Sequence, residues 1–320
     1  MSERDHASWL GDSVATLEAA PRFSLYGRVT RVIGQVIEGS SLPVAVGELC
    51  RIAPGDRDGI LAQVVGFHER GILLMPLGET EGVHPGAVVI PLARAFHVDV
   101  GESLIGRVLD GLGRPIDGGP ELRATRRRAL TAEPPNPLDR ARIREPLGTG
   151  VRAIDGLVTL GRGQRIGILA GSGVGKSVLL GMTARHTTAD VNVIALLGER
   201  GREVREFIER DLGPEGLRRS VVVVATSDQA AVVRATGALV ATAIAEYFRD
   251  SGRDVLLMMD SITRVARAIM PRSALLPTPE PAKIPRRWPR PHARSAFRAR
   301  MPRSSGVRMG GRSSGLMWGP

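Results

Sequence analysis

The 320-residue chain is 42% hydrophobic and 24% charged, the balance of a globular protein long enough for two domains. A single cysteine, Cys50, excludes an internal disulfide and fits a reducing cytosol; the opening residues lack a signal-peptide core, and no apolar run approaches the ~18 residues of a membrane helix. The net charge of +11 is local: residues 271–320 hold ten Arg and one Lys against the single acid Glu280, so the rest of the chain is nearly neutral.

Residues 1–22 form a leading segment in which "ASWLGDSVATLEAA" (7–20) sets Trp9, Leu10, Val14 and Leu17 on one side of a helix. Residues 23–95 alternate short apolar stretches with Gly and Pro ("YGRVTRVIGQVIEG", "LAQVVGFHERGILLMPLG"), the texture of a small β-barrel. Cys50 sits in strand-like "ELCRI" and reads as a small buried side chain. Residues 96–146 are turn-rich over 104–119 and proline-rich over 132–140, and lead into the next domain. Over 147–268 the pattern becomes β/α: "QRIGILAG" reads as a strand and "KSVLLGMTARHT" as a helix. "VNVIALLG" (191–198), "RSVVVVATSD" (219–228) and "DVLLMMD" (254–260) read as buried strands, and 235–252 as a long helix. Such an α/β alternation implies a parallel sheet covered by helices. Residues 269–320, with nine Pro after Met270, read as a disordered Arg/Pro-rich tail.

"AGSGVGKS" (170–177) is the chemical centre. It fits the phosphate-binding loop pattern, with Ala170 where the first Gly is usual. Gly171, Ser172, Gly173, Val174 and Gly175 let backbone N–H groups curl around phosphates, and a helix N-terminus adds positive potential. Lys176 would reach the β- and γ-phosphates of ATP, and the Ser177 hydroxyl would bind Mg²⁺. A glycine-rich turn can match by chance, but a strand before and a helix after would confirm the loop. Asp260, closing an apolar strand, can hold Mg²⁺ through water. Glu199 follows another strand at the sheet's carboxyl end, where ligands of open parallel sheets bind, and could deprotonate the attacking water. Beyond it, Arg205–Glu209 and Glu206–Arg210 are spaced as i,i+4 ion pairs on a solvated helix.

From about Tyr26 to Ala268 the sequence resembles the rotary-type ATPases, most closely the type III protein-export ATPases of bacterial flagella and injectisomes. The resemblance rests on "YGRV", "GRVLDGLGRPIDG", "PPNPL", "GVRAIDGL", "GRGQRIGILAGSGVGKSVLLGM", "GERGREVREFIERDLGPEGLRRSVVVVATSD" and "LLMMDSITRVA". It implies a RecA-like nucleotide domain after the barrel and a hexamer that couples ATP hydrolysis to protein export. Glu199 would be the catalytic carboxylate, Arg200 would lie near the phosphates, Glu203 would support the metal's water shell, and Arg264 would lie near the γ-phosphate. It further implies a cytoplasmic protein peripheral at the inner-membrane export apparatus. Its partners would be a stator-like regulator docking at Trp9 and Leu10, the export gate, chaperones and export substrates. The motifs lean toward the flagellar branch.

After Ala268 the resemblance stops, and neither an arginine finger nor a helical C-terminal domain is recognisable. The abrupt change near Arg267–Met270 reads as a shift out of frame, and turnover by this chain is expected to suffer. An RNA-translocating hexamer is disfavoured, because residues 23–95 offer only Phe23, Tyr26 and Phe67 for base stacking. No specific nucleic-acid partner is expected; the Arg-rich tail would bind polyanions by counterion release whatever its role. His6, His68, His84 and His97 show no metal-ligand spacing.

Overall fold

The computed structural model describes residues 25–55, 59–123, 126–171 and 173–275. The leading segment through residue 22, Ser172 and residues 276–320 lie outside that set, and with them the expected partner-docking helix and most of the expected tail.

Six strands close into a barrel: β1 (Gly27–Ile33), β2 (Val36–Ser40), β3 (Glu48–Ala53), β4 (Ile60–His68), β5 (Gly71–Pro76) and β6 (Val88–Ala95), in the spatial order β1-β2-β5-β4-β3-β6. Alternate residues point inward, so Val29, Ile37, Ile52, Val64, Ile72, Leu74 and Val89 fill the interior together with Cys50. Burial pushes the Cys50 thiol up to about 11. Closure removes the sheet edges that a six-stranded ribbon would expose.

Two short strands then pair with each other, β7 (His97–Val100) and β9 (Arg126–Ala129), while β8 (Val108–Asp110) between them joins the main sheet. All three fall in residues 96–146, expected as a linker leading into the next domain, and only β8 lies in its turn-rich part. They are three or four residues long; β7 (HVDV) alternates over too short a stretch to stand out, and β9 consists of three arginines and an alanine. A further pair, β10 (Pro146–Leu147) and β11 (Leu160–Gly161), flanks α1 (Arg152–Leu157).

The main sheet is parallel throughout, in the order β14-β12-β13-β8, where β12 is Val191–Leu197, β13 Ser220–Ala225 and β14 Val255–Asp260. Both faces of β12 are buried, which is why its sequence is an unbroken apolar run. Val193, Ala195 and Leu197 pack with Ile244 and Phe248 of the long helix Ala231–Asp250. Ile194 and Leu196 face the other way, onto Leu180 and Ala184 of α2 (Lys176–His186) and onto Phe207 and Leu212. The stretch after β12 is helical in three pieces: α3 (Gly201–Glu206), a π-turn over Phe207–Leu212, and α4 (Gly213–Leu217). The long helix Ala231–Asp250 is α5. It meets the barrel through Val232 and Val233, packed with Val36, Leu49, Met75 and Leu77.

Two expectations need correction. The segment 164–171, expected as a strand, pairs with no neighbour, and Ile166, Ile168 and Leu169 are exposed. An apolar alternation becomes a strand only when a ladder satisfies its N–H and C=O groups. Among the described residues the ion pairs that flank the segment are Arg162 with Asp254, just before β14, and Lys176 with Asp260 at the end of β14. The second correction concerns the tail, read as disordered from residue 269. A final helix, α6 (Ile262–Leu275), continues past that point and packs on α5 through Ala268 against Ala231 and Ala235. Pro271 made the sequence look finished, yet a single proline removes one helical hydrogen bond and the residues on both sides favour helix.

Candidate functional site

The site lies at the carboxyl ends of β12 and β14, where a parallel sheet leaves its strand ends open. The phosphate-binding loop enters α2 through Gly173 and Gly175, with φ of +79° and +93°. That left-handed conformation strains any residue with a Cβ, so the loop requires glycine at both positions. Gly175 is the N-cap of α2, placing Lys176 and Ser177 in its first turn. Helix-terminal N–H groups there have no intrahelical partner and suit an anion. Gly171, Gly173, Val174 and Gly175 stand exposed at the mouth.

Lys176 reaches across to the strand-end carboxylate, Nζ donating to Oδ1 of Asp260. The partners differ in burial: the Asp260 side chain is 6% exposed and that of Lys176 is 30% exposed. Beside them, Glu199 follows the left-handed Gly198. Its backbone carbonyl accepts from Ser227 N–H at 2.9 Å, fixing the chain as it leaves the sheet. Glu199 Oε2 pairs with Arg264 Nη1 at 2.7 Å, and the same nitrogen donates to the Gly198 carbonyl. Arg264 thus comes from the first turn of α6 to hold Glu199, while the resemblance placed it by the γ-phosphate. Burial is the chief cause that raises the Glu199 carboxyl above its ordinary range; a hydrogen bond with Glu203 and the charge of Asp260 add to this, and Arg264 opposes it. Glu203 moves the other way, lowered first by that hydrogen bond.

A cavity of about 130 Å³ gathers these groups, lined by Ser177, Glu199, Glu203 and Asp260 and by Glu206 and Asp211. It has room for a few waters or a hydrated ion, on the order of four water volumes. Its donors are all oxygens, which suits Mg²⁺. Among the described residues no three of His, Cys, Asp or Glu stand close enough to cage a metal alone.

The structure therefore brings together Lys176, Ser177, Glu199, Glu203, Asp260 and Arg264. Arg200 stays outside, its side chain 74% exposed and 3.5 Å from Glu203. The expected ion pairs on the following helix are present at 2.7 Å (Arg205–Glu209) and 2.6 Å (Arg210–Glu206). Sequence reasoning missed Asp211 as a lining residue, since the π-turn that carries it inward leaves no trace in the apolar spacing.

The comparisons agree with this architecture. The description "ATP synthase alpha/beta family, nucleotide-binding domain" matches residues 150–283, and "ATP synthase alpha/beta family, beta-barrel domain" matches residues 29–93; together they cover more than half of the chain. The chain is 54% identical over 254 residues to the flagellum-specific ATP synthase of Bacillus subtilis (strain 168), covering 79% of this chain and 58% of that protein. It is 53% identical over 258 residues to the type 3 secretion system ATPase of Xanthomonas euvesicatoria, covering 80% and 57%. The chain thus spans less than two thirds of these relatives. Among solved structures it is similar to the assembled ATPase EscN from the enteropathogenic E. coli type III secretion system, with TM-score 0.72 and 44% identity over 78% of this chain and 60% of that one. The chain belongs to the ATP synthase alpha/beta family, alongside its flagellum-specific and type III secretion ATPases.

Proposed function

We propose that the chain is an ATP-binding and ATP-hydrolysing subunit of a bacterial type III protein-export apparatus, the flagellar one in the first reading. One observation carries the catalytic part: a single acidic cavity holds Ser177, Glu199, Glu203 and Asp260 beside Lys176. Glycine-loop N–H groups and Lys176 would bind and orient the phosphates, and Ser177, Asp260 and Glu203, which line one cavity, would hold Mg²⁺. When bound with ATP, Mg²⁺ neutralises charge on the β- and γ-phosphates. Glu199 accepts a proton from the attacking water; a carboxyl raised by burial is the better base near neutrality. Arg264 fixes its direction through the 2.7 Å contact. Arg200 turns toward the phosphates once they are bound.

Relatives support the assembly proposed around this site. The matched EscN structure is of the assembled ATPase, and a second is of EscN with its central stalk EscO. A homo-hexameric ring, a stator-like regulator at the N-terminus, and export-gate, chaperone and substrate proteins at the cytoplasmic face of the inner membrane complete the reading. Injectisome secretion is the second reading, favoured by the 53% identity to a type 3 secretion ATPase. A chain that grips ATP without turnover is a third, favoured by residues 164–171 carrying no ladder. Phosphate release from ATP by the full chain, with Mg²⁺ or with a chelator, tests the proposal. Release that stops on chelation is expected; release indifferent to the chelator would overturn it.

A further inference from the structure

A cavity of about 710 Å³ opens between the barrel and α5, far larger than the acidic one and built from different chemistry. Its origin is a break in the β3–β6 ladder. Cys50 faces Pro91, but the next paired residue, Glu48, faces Ala95, so Leu92–Arg94 bow outward. Ala93 sits at φ +50°, a conformation seldom adopted by a residue with a Cβ. The wall left behind is apolar: Val46 (62% exposed) and Leu239 (40%) face it with Phe96 and Leu130. Arg94 stands at its rim, with no ion pair among the described residues.

We propose that this cavity is the docking site of the chain's own leading segment, residues 7–18. Three observations favour that occupant. Strand β1 runs antiparallel to β6, with Gly27 opposite Val89, so the chain entering β1 arrives from the side of Pro91–Ala95, the stretch that bows to form the cavity wall. The reach is sufficient: residues 19–24 can span roughly 20 Å when extended, and Pro91 to Ala95 covers about 13 Å along the strand. The chemistry is complementary, for Leu10, Val14 and Leu17 recur at i, i+4 and i+7 with Trp9 beside them, and Glu18 at the edge of that stripe suits Arg94. Tethering supplies a local concentration on the order of millimolar, so even a weak contact is populated. Since α5 contributes both Leu239 to this cavity and Val233 to the barrel contact, docking clamps barrel to nucleotide-binding domain, and a partner that takes the same segment releases the clamp.

The test uses the full chain with W288F and W318F, which leaves Trp9 as the sole tryptophan. Its emission and acrylamide quenching are compared with those of a synthetic peptide of residues 1–24. Blue-shifted emission with quenching several-fold weaker than the peptide's, both reverting with L239D while the melting transition persists, is expected. Peptide-like quenching in the parent chain would overturn the proposal. In a second measurement, L10C with L239C is oxidised at low protein concentration. A crosslink within one chain supports the proposal; crosslinked dimers would assign the cavity to a second copy instead, and no crosslink would refute it.

Discussion

Removing Lys176 and removing Asp260 should cost unequal amounts of stability, although the two form one ion pair. Lys176→Ala strands the Asp260 carboxylate, which is only 6% exposed; Asp260→Asn strands an ammonium that is 30% exposed and can turn to water. Breaking a buried pair by removing one partner costs about 3–5 kcal/mol, because the remaining charge is left uncompensated. With Asp260 nearly buried, Lys176→Ala should approach the lower end, about 3 kcal/mol, whereas partial solvation should hold Asp260→Asn to about 1 kcal/mol. The double variant should cost less than the sum, with a coupling of about 1–2 kcal/mol. Urea denaturation of the four proteins at one pH, without nucleotide, reads all of these quantities. Equal losses in the two single variants, or strict additivity, would refute the reasoning from burial.

Other consequences follow from neighbouring groups. Glu199 is raised in the folded protein, so it favours the fold below the ordinary carboxylate range and loses that contribution as pH climbs through its raised value. The melting temperature of Glu199→Gln relative to the parent should therefore become more favourable from pH 5 to pH 8; a flat difference would contradict this. Gly181→Ala lies inside α2, where alanine ordinarily stabilises by about 1 kcal/mol. Here the new Cβ would stand 2.4 Å from the Asp211 carbonyl oxygen, so denaturation should instead show a loss of about 1–3 kcal/mol. Among the described residues β14 is an edge of the main sheet, with Leu257 exposed on it. Leu257→Lys should reduce light scattering on concentration, and unchanged scattering would show that this edge does not drive association.

Much of the site was legible because its chemistry needs particular residues at fixed spacing. Gly173, Gly175, Lys176 and Ser177 announce a loop-to-helix turn, and Glu199 and Asp260 stand where apolar strands stop. The barrel could be read from strand alternation, and β12 and β13 from unbroken apolar runs. What escaped depends on partners rather than on composition. Strand β8 is three residues held by β13, β9 is an arginine run held by β7, and 164–171 has the alternation of a strand without a ladder. Likewise, the contact of Arg264 with Glu199 is a product of where α6 begins, and nothing in "DSITR" states it.

The central claim is that Glu199 serves chemistry while Lys176 serves binding. Steady-state phosphate release and equilibrium binding of MgATP, measured on the parent chain, Glu199→Gln and Lys176→Ala, separate the two roles. Glu199→Gln should keep nucleotide affinity and lose turnover by about 10²–10⁴-fold, the scale of a lost general base, while Lys176→Ala should lose affinity itself. Turnover that survives Glu199→Gln would contradict the account.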